Sequence, residues 1–196
     1  MKHKGKRLFI TSIPTSGKTH LAKKLADEVG GIAVILDELR KNILLDETYK
    51  KWINFYLDKD EESYFAQVSP EEQWGNLVAQ SEGLWPVFLE EINKYSNEEK
   101  PVIFECVNIL PHLAKKDLDF PGIVLLGSSY EETLLRNSAN PRWGGTARLQ
   151  EMEAKAFFLN ERPRYKKEAQ EYGYAVFEKG GEAFVEAMKI LGRPMC

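Results

Sequence analysis

The sequence contains little cysteine. Only Cys106 and Cys196 occur in 196 residues, and two isolated cysteines do not form the disulfide framework that is typical of small secreted domains. Cys106 lies in an apolar run of strand type, so we expect it to be a small buried hydrophobic residue. The cysteine content therefore does not point to a disulfide-stabilised fold.

Long apolar runs are also absent. The longest runs, such as residues 32–36, are far shorter than the roughly 20 residues that a membrane-spanning helix needs. Residues 1–7 are basic, but only Leu8, Phe9 and Ile10 follow as an apolar run, which is too short for the core of a signal peptide. We therefore expect a cytoplasmic protein without a membrane segment.

Repeats, low-complexity tracts and flexible linkers are missing as well. The length fits a single domain, residues 1–196, with a peripheral insertion. Hydrophobic residues make up 43% of the chain and charged residues 29%, which is an ordinary globular balance. The net charge of −3 argues against general nucleic-acid binding. We expect a monomer or a homodimer.

Charge is unevenly distributed along the chain. Residues 1–26 carry seven Lys and Arg residues and no acid, whereas residues 46–72 carry eight acids and three Lys residues. A basic end opposite an acidic flap fits an anion-binding site. A plain solvated surface explains the acidic run equally well.

Short apolar runs alternate with helical patterns. Strands are predicted at residues 7–12, 32–36, 101–107, 122–126 and 174–177, and the main helices at residues 20–29, 131–137, 147–161 and 182–191. This alternation predicts an α/β fold with a parallel sheet that is covered on both faces. Ligands of such sheets bind beyond the carboxyl ends of the strands.

An insertion of mostly helical, aromatic-rich sequence follows the second predicted strand. It covers residues 38–97, and we expect it to form the acceptor-side flap of the molecule. Within it, Ser69, Pro70 and Glu72 predict a helix start, with a Ser cap, Pro in the first turn and Glu three residues after the cap.

A phosphate-binding loop is predicted between the first strand and the first helix. The segment Ser12-Ile-Pro-Thr-Ser-Gly17-Lys18-Thr19 matches the pattern G-x-x-x-x-G-K-[ST] except at its first position, where Ser replaces Gly. Such a loop directs backbone N–H groups, and the positive end of the following helix, at bound phosphates. A Cβ at Ser12 restricts the turn, but a small side chain could be accommodated there.

The last two residues of the predicted loop have distinct chemical roles. Lys18 can bridge the β- and γ-phosphates of ATP, and the Thr19 hydroxyl can bind Mg²⁺. The predicted ATP-binding residues are Pro14, Thr15, Ser16, Gly17, Lys18, Thr19 and Arg136.

Two charged residues follow the second predicted strand. Asp37 could accept the proton of an acceptor hydroxyl and orient it for in-line attack on the γ-phosphate. Arg40, about one helical turn later, could hold a polar or anionic part of the acceptor. The alternative is that Asp37 only caps the next helix.

Glu105 stands inside the otherwise apolar third strand. A buried carboxylate needs a partner, and a hydrated Mg²⁺ beside Thr19 is the predicted one. A structural ion pair or an edge position is the alternative. Asn108 follows the same strand and is predicted to line the acceptor pocket.

Three arginines surround a loop that is rich in Pro and Gly before the fifth strand. They are Arg136, Arg142 and Arg148. A mobile lid over residues 138–147 could close over the phosphates, exclude water and neutralise the transferring group. Arg142 is the predicted catalytic arginine of this lid. Solvated arginines are the alternative.

These features together resemble a known group of proteins. A phosphate loop, Asp37-x-x-Arg40, Glu105 in the third strand and an arginine-bearing lid are similar to the adenylate-kinase-like P-loop kinases. Within this group the sequence resembles the branch of shikimate kinase, chloramphenicol phosphotransferase, zeta-toxin-type kinases and 2-phosphoglycerate kinase. Residues 104–111, Phe-Glu-Cys-Val-Asn-Ile-Leu-Pro, are similar to the strand and turn of the last of these, where Cys106 replaces a glycine.

The resemblance implies a P-loop NTPase fold with a five-stranded parallel sheet. It also implies ATP as donor, Mg²⁺, and Asp37 as the base on the acceptor side. It covers residues 7–37 and 101–191 and leaves the insertion without a counterpart.

The sequence is therefore interpreted as an ATP-dependent kinase that phosphorylates a hydroxyl of a small-molecule acceptor. The first alternative is a protein that hydrolyses or senses ATP without transferring phosphate, which Ser12 favours and which Asp37, Arg40 and the insertion disfavour. The second alternative is a kinase for RNA ends. That function calls for a basic groove with stacked aromatic residues, whereas the aromatic segment here is acidic.

Overall fold

The fold was analysed in a computed structural model, which describes residues 5–43, 46–53, 60–141 and 144–193. In this part of the chain, five parallel strands form one sheet. They are β1 (Arg7–Thr11), β2 (Ile32–Ile35), β3 (Val102–Glu105), β4 (Gly122–Leu125) and β5 (Ala175–Phe177). Their order across the sheet is β2-β3-β1-β4-β5, which confirms the predicted α/β fold with a five-stranded parallel sheet.

Helices connect the strands and form the insertion. They are α1 (Lys18–Val29), α2 (Leu39–Asn42), α3 (Lys50–Ile53), α4 (Glu61–Gln67), α5 (Pro70–Lys94), α6 (Pro111–Asp117), α7 (Tyr130–Ala139), α8 (Ala147–Lys155), α9 (Arg162–Tyr172) and α10 (Gly180–Ile190). A 3₁₀ turn, Leu36–Glu38, separates β2 from α2, and a π-helical segment, Ala156–Glu161, separates α8 from α9. None of the helices in the described ranges combines the length and the apolar character that crossing a bilayer requires.

The core has two layers, one on each face of the sheet. On one face, Leu8 and Ile10 of β1 pack against side chains of α1 and α10. On the other face, Phe9 packs in a larger cluster with side chains of α5, α6 and α9. Successive residues of a strand point to opposite faces, so a strand that is covered on both sides must be apolar at nearly every position. β1, β3 and β4 have this character.

Glu105 is the exception in this apolar sheet. Parallel pairing places Glu105 between Ile10 of β1 and Ile35 of β2, near the carboxyl end of all three strands. Its side chain is fully buried. The register therefore positions one carboxylate at the edge where ligands of parallel sheets bind.

The first helix begins earlier than the sequence analysis predicts. It starts at Lys18 rather than at residue 20, because Gly17 adopts a left-handed conformation with φ 93° and its carbonyl already accepts a hydrogen bond from the Leu21 N–H. Glycine occupies this region of φ without the steric cost that a Cβ imposes. Lys18 and Thr19 consequently lie in the first helical turn.

The insertion is anchored by a long helix whose start is confirmed. The Ser69 hydroxyl accepts a hydrogen bond of 3.2 Å from the Glu72 N–H, and Pro70 occupies the first turn of α5. The apolar stripe of α5 includes Leu77, Leu84 and Phe88, all of which are buried in the larger core cluster. This packing holds α5 against the larger core cluster on one face of the sheet.

The helix predicted at residues 147–161 is a composite. It is α-helical to Lys155 and π-helical from Ala156 to Glu161, and α9 then begins at Arg162 with Pro163 in its first turn. Proline lacks the N–H that a regular helical hydrogen bond needs and its ring crowds the preceding turn. A widened π segment directly before Pro163 is consistent with that constraint.

Candidate active site

The predicted phosphate-binding loop, called the phosphate loop below, lies between β1 and α1. Gly17 has φ 93°, and Thr15 has φ 60°, which is unusual for a residue with a branched Cβ. Ser12 is fully buried and is not among the described residues with positive φ. Its backbone conformation therefore does not require glycine, and the left-handed residues of the loop are Thr15 and Gly17.

Lys18 points back into this loop. Its ammonium group donates a hydrogen bond of 3.2 Å to the Ile13 carbonyl and lies 3.6 Å from Oε1 of Glu105. The side chain is 7% exposed, so its charge is held close to the loop with little surrounding water. A buried cation held against a loop at the start of a helix is suited to bind an anion.

Thr19 and Glu105 are in direct contact. The Thr19 hydroxyl donates a hydrogen bond of 2.9 Å to Oε2 of Glu105, whereas Oε1 is buried and makes no hydrogen bond. Burial raises the pKa of Glu105, and the nearby charge of Asp37 raises it further, while the Lys18 ammonium lowers it. The carboxylate is therefore held at a site that favours a further cation.

The two oxygen-bearing side chains fit Mg²⁺. Hydroxyl and carboxylate oxygens are ligands that Mg²⁺ prefers, and the ion is commonly held by one or two protein groups together with substrate phosphates. No group of three or more His, Cys, Asp or Glu side chains with metal-binding geometry occurs in the described ranges. Thr19 and Glu105 would thus hold the ion jointly with bound phosphates.

Asp37 lies beside the end of β3. Sγ of Cys106, the residue after Glu105, donates a weak hydrogen bond of 3.3 Å to Oδ1 of Asp37. Burial raises the pKa of the Cys106 thiol well above its ordinary value, so the thiol stays protonated and serves as donor. The N-cap of α2 is Glu38, without a side-chain cap. Asp37 therefore does not occupy the N-cap position of that helix.

Arg40 connects Asp37 with Asn108. Its Nη2 atom lies 3.3 Å from Oδ1 of Asp37 and donates a hydrogen bond to Oδ1 of Asn108. Asn108 itself is fully buried, and its Nδ2 group donates to Gln80 and Ser81 of α5. The structure thus brings three of the predicted acceptor-side residues together.

Gln80 and Ser81 are not among the site residues that the sequence predicts. Both are buried on the face of α5 that packs on the core. The available signal was the presence of two adjacent polar residues inside an apolar helical stripe, since buried polar groups require partners. The partner, Asn108, is distant in sequence and could not be inferred from periodicity.

A pocket of about 690 Å³ adjoins the phosphate loop, and Lys18 is among its lining residues. Its lining includes residues 15–21, Arg136 and Asn140 of the α7 region, and residues 178–181 at the start of α10. Pockets of this volume accommodate small organic ligands such as nucleotides. Residues 178–181 are not among the site residues that the sequence predicts, because a short turn after a strand carries no motif of its own.

Arg136 reaches the phosphate loop. Its Nη1 atom donates a hydrogen bond of 3.1 Å to the Thr15 carbonyl, and Nη2 pairs with Glu132 one turn earlier on α7. A Cβ on Gly17 would lie 3.4 Å from Nη1 of Arg136. In this structure the guanidinium group therefore supports the loop from the pocket side.

The other lid arginines have different positions. Arg148 pairs with Glu62 of α4 at 2.9 Å, so it contacts the insertion rather than the phosphate loop. Arg142 lies outside the described residues. The lid over residues 138–147 stays a prediction, and its described part is the connection between α7 and α8.

Comparisons with known proteins identify the fold. No family model matches the sequence, and no curated protein matches it either. Among solved structures, a shikimate kinase from Bacteroides thetaiotaomicron aligns with a TM-score of 0.53 at 14% identity and covers 95% of this chain and 98% of its own. A shikimate kinase from Acinetobacter baumannii in complex with shikimate has a TM-score of 0.51 at 12% identity, over 95% and 93% of the two chains.

A third structure, TT1252 from Thermus thermophilus, has a TM-score of 0.51 at 16% identity over 95% of this chain and 96% of its own. At these low identities the structural alignments establish the fold alone and leave the activity open. The alignments cover nearly the whole of both chains, and the five-stranded parallel sheet is in keeping with them. The chain therefore has the fold of the P-loop small-molecule kinases.

Proposed function

We propose that this protein is an ATP-dependent phosphotransferase that moves the γ-phosphate of ATP to a hydroxyl group of a small-molecule acceptor. The observation that carries the proposal is the meeting of the phosphate loop with Asp37 at one edge of the sheet. Glu105 contacts Lys18 and Thr19 of the loop, and the next residue, Cys106, contacts Asp37. The predicted phosphate loop and the candidate base therefore adjoin the end of the same strand, which supports the proposal.

The roles of the residues follow from their chemistry. The Asp37 carboxylate accepts the proton of the acceptor hydroxyl, the oxygen of that hydroxyl attacks the γ-phosphorus, and the bond to the β-phosphate oxygen breaks to release ADP. Lys18 and the loop N–H groups neutralise charge on the phosphates. When bound, Mg²⁺ would neutralise the phosphate oxygens further, held by Thr19 and Glu105.

A small acceptor is favoured by the relatives in structure. Two of the solved structures with TM-scores above 0.5 are named shikimate kinases, and one of them is a complex with shikimate. We extend to this chain the class of acceptor, a small hydroxylated molecule, and not its identity. The insertion, through α2 to α5, supplies the surface that would select it.

The decisive variant is Asp37→Asn, which keeps the shape of the side chain and removes its charge. A general base contributes roughly 10²–10⁴-fold to a rate. We expect transfer to fall by about that factor, while ATP affinity stays within a few-fold of the parent. The measurements are ATP binding, and ATP consumption screened against hydroxylated metabolites, antibiotics and nucleotides with a no-acceptor control.

Asp27→Asn is the matched control, because it makes the same chemical change at an exposed position on α1. It should leave both quantities unchanged. Transfer at the parent rate in Asp37→Asn would remove Asp37 as the base. If no acceptor stimulates ATP consumption by the parent, the protein is an ATPase or a nucleotide sensor, which is the alternative function.

A further inference from the structure

The side chain of Asn108 is the centre of a buried polar network. It is fully buried, and each half of its amide faces a group of the opposite polarity. Oδ1 accepts a hydrogen bond from Arg40, and Nδ2 donates to Oε1 of Gln80 at 3.3 Å and to the Ser81 hydroxyl at 2.8 Å. Rotation of the amide group would break at least one of these three contacts.

The partners on α5 are fixed in turn. The Ser81 hydroxyl donates to the Leu77 carbonyl of its own helix at 2.7 Å, so its remaining lone pairs face Asn108. Nε2 of Gln80 donates to the Trp52 carbonyl of α3 at 2.7 Å, which directs Oε1 towards Asn108. Both side chains are therefore held in one orientation by the insertion itself.

The other end of the network is the candidate base. Arg40 is 17% exposed and Asp37 is 30% exposed, and the two are 3.3 Å apart. Because Arg40 is also bound to Asn108, its guanidinium group cannot follow Asp37 if the carboxylate rotates away. The Arg40 position thus restricts the orientation of the Asp37 carboxylate.

We propose that Gln80 and Ser81 are positioning residues for phosphate transfer, which act through Asn108 and Arg40 on the Asp37 carboxylate. The inference rests on the proposed function, since it needs Asp37 as the base. It assigns to the insertion a part in setting the geometry of transfer, beyond providing a surface for the acceptor. It also assigns Asn108 to this network rather than to direct contact with the acceptor.

A purely structural role for the same contacts makes a different prediction. If the network only stabilises the packing of α5, its loss lowers the free energy of unfolding and leaves the rate of the folded enzyme unchanged. If the network positions the base, its loss lowers transfer in the folded enzyme. Misplacement by about 1 Å can reduce a rate by roughly 10²-fold, so the two roles are separable by kinetics.

The test is the double variant Gln80→Met with Ser81→Ala, which removes both acceptors of the Asn108 amide and keeps helix-compatible side chains. We expect kcat/KM for the acceptor to fall about tenfold to hundredfold, with ATP affinity unchanged. Gln73→Met is the matched control. Gln73 is a buried glutamine two turns earlier on α5, and its Nε2 donates to the Val68 carbonyl outside the network.

A second measurement tests that the residues act through Arg40. When two changes interrupt the same network, their effects are not additive. In an Arg40→Ala background, Gln80→Met with Ser81→Ala should therefore change transfer less than twofold. If the rate losses from Arg40→Ala and from the double variant multiply, the inference is overturned. It is also overturned if Gln73→Met loses as much transfer as the double variant, or if the double variant transfers at the parent rate.

The network can also be observed without turnover. The Asn108 side-chain amide protons should exchange slowly with solvent in the parent and measurably faster in the double variant, as followed by NMR. If the parent transfers phosphate but these results fail, only the positioning role is wrong. If the parent transfers phosphate to no acceptor, the positioning role falls together with the proposed function.

Discussion

Glu105 is a buried carboxylate beside the predicted phosphate loop. Its side chain is fully buried in the sheet, and burial is the largest reason that its pKa is raised. Lys18 offsets part of this effect at 3.6 Å. A residue that costs stability in the absence of ligand is expected at a functional site rather than in a structural core.

The raised pKa of Glu105 gives a prediction on pH and stability. The folded protein binds the Glu105 proton more tightly than the unfolded chain does. In the unfolded chain the carboxyl group has its ordinary pKa of 4.5. The free energy of unfolding therefore falls as the pH rises from about that value through the folded pKa, by roughly 1.4 kcal/mol for each unit of difference. Glu105→Gln should remove this contribution.

The measurement is denaturant unfolding of parent and Glu105→Gln over pH 4 to 8, without nucleotide or Mg²⁺. The stability of the parent relative to the variant should be highest at low pH and decline as the pH rises. Glu171→Gln, on an exposed face of α9, is the control and should run parallel to the parent. If the stability of Glu105→Gln also ran parallel to that of the parent over this pH range, the raised pKa of Glu105 would be wrong.

Some residues of the candidate site could be predicted from the sequence, because a charged residue interrupts an apolar or small-residue pattern there. A carboxylate within an apolar strand, a lysine after a turn of small residues and an aspartate directly after a strand each contradict the surrounding pattern, and such contradictions mark sites. Gln80 and Ser81 were not predictable, because a polar residue on a helical stripe is informative only when its partner is known. That partner depends on how α5 packs on β3.

At the scale of elements, the local signal at Ser69 predicted the start of α5, whereas the start of α1 was placed two residues late because the left-handed Gly17 was not foreseen. The Ser69 cap is confirmed by its hydrogen bond to the Glu72 N–H, because a cap depends only on neighbouring residues. The π-helical segment Ala156–Glu161 was not foreseen. Its amphipathic pattern continues that of α8, and the widening depends on the turn before Pro163 and on packing.

The Ser69 cap gives a prediction on the stability of the insertion. Ser69→Ala removes the oxygen that accepts from Glu72 and should lower the free energy of unfolding by about 0.5–2 kcal/mol. Ser69→Asp keeps an acceptor at the cap and should retain most of the stability. Denaturant unfolding measures both variants.

Ser96→Ala serves as the comparison for this loss. Ser96 is an exposed serine after the end of α5 and makes no cap, so its replacement should change stability by less than about 0.5 kcal/mol. An equal effect of Ser69→Ala and Ser96→Ala would show that the cap contributes nothing.

At the scale of the molecule, the sequence predicted the class of the sheet but not the order of its strands. Apolar strands that alternate with helices indicate a parallel sheet. The placement of β3 between β1 and β2 depends on long-range packing instead. That placement brings Glu105 beside the phosphate loop and the end of β3 beside Asp37, and it turns separate motifs into one site.

The last prediction concerns how the molecule responds to nucleotide. Arg136 of α7 contacts the phosphate loop through the Thr15 carbonyl, and Asn140, at the end of α7, lines the adjoining pocket. Bound nucleotide would therefore touch the segment that joins α7 to α8. We expect amide hydrogen exchange over residues 138–147 to slow when a non-hydrolysable ATP analogue and Mg²⁺ are added, because closure protects backbone N–H groups.

Two comparisons make this measurement specific. Lys18→Ala should lose most of the protection, since its charge is needed to bind the phosphates, while the rest of the exchange pattern stays that of the folded protein. Residues 95–100, a turn between α5 and β3 that contributes no residue to the pocket, should exchange equally with and without the analogue. Nucleotide binding that leaves residues 138–147 unprotected in the parent would show that this segment is not a lid. Phosphate transfer would then proceed without closure, and the exclusion of water would have to come from the acceptor and the insertion.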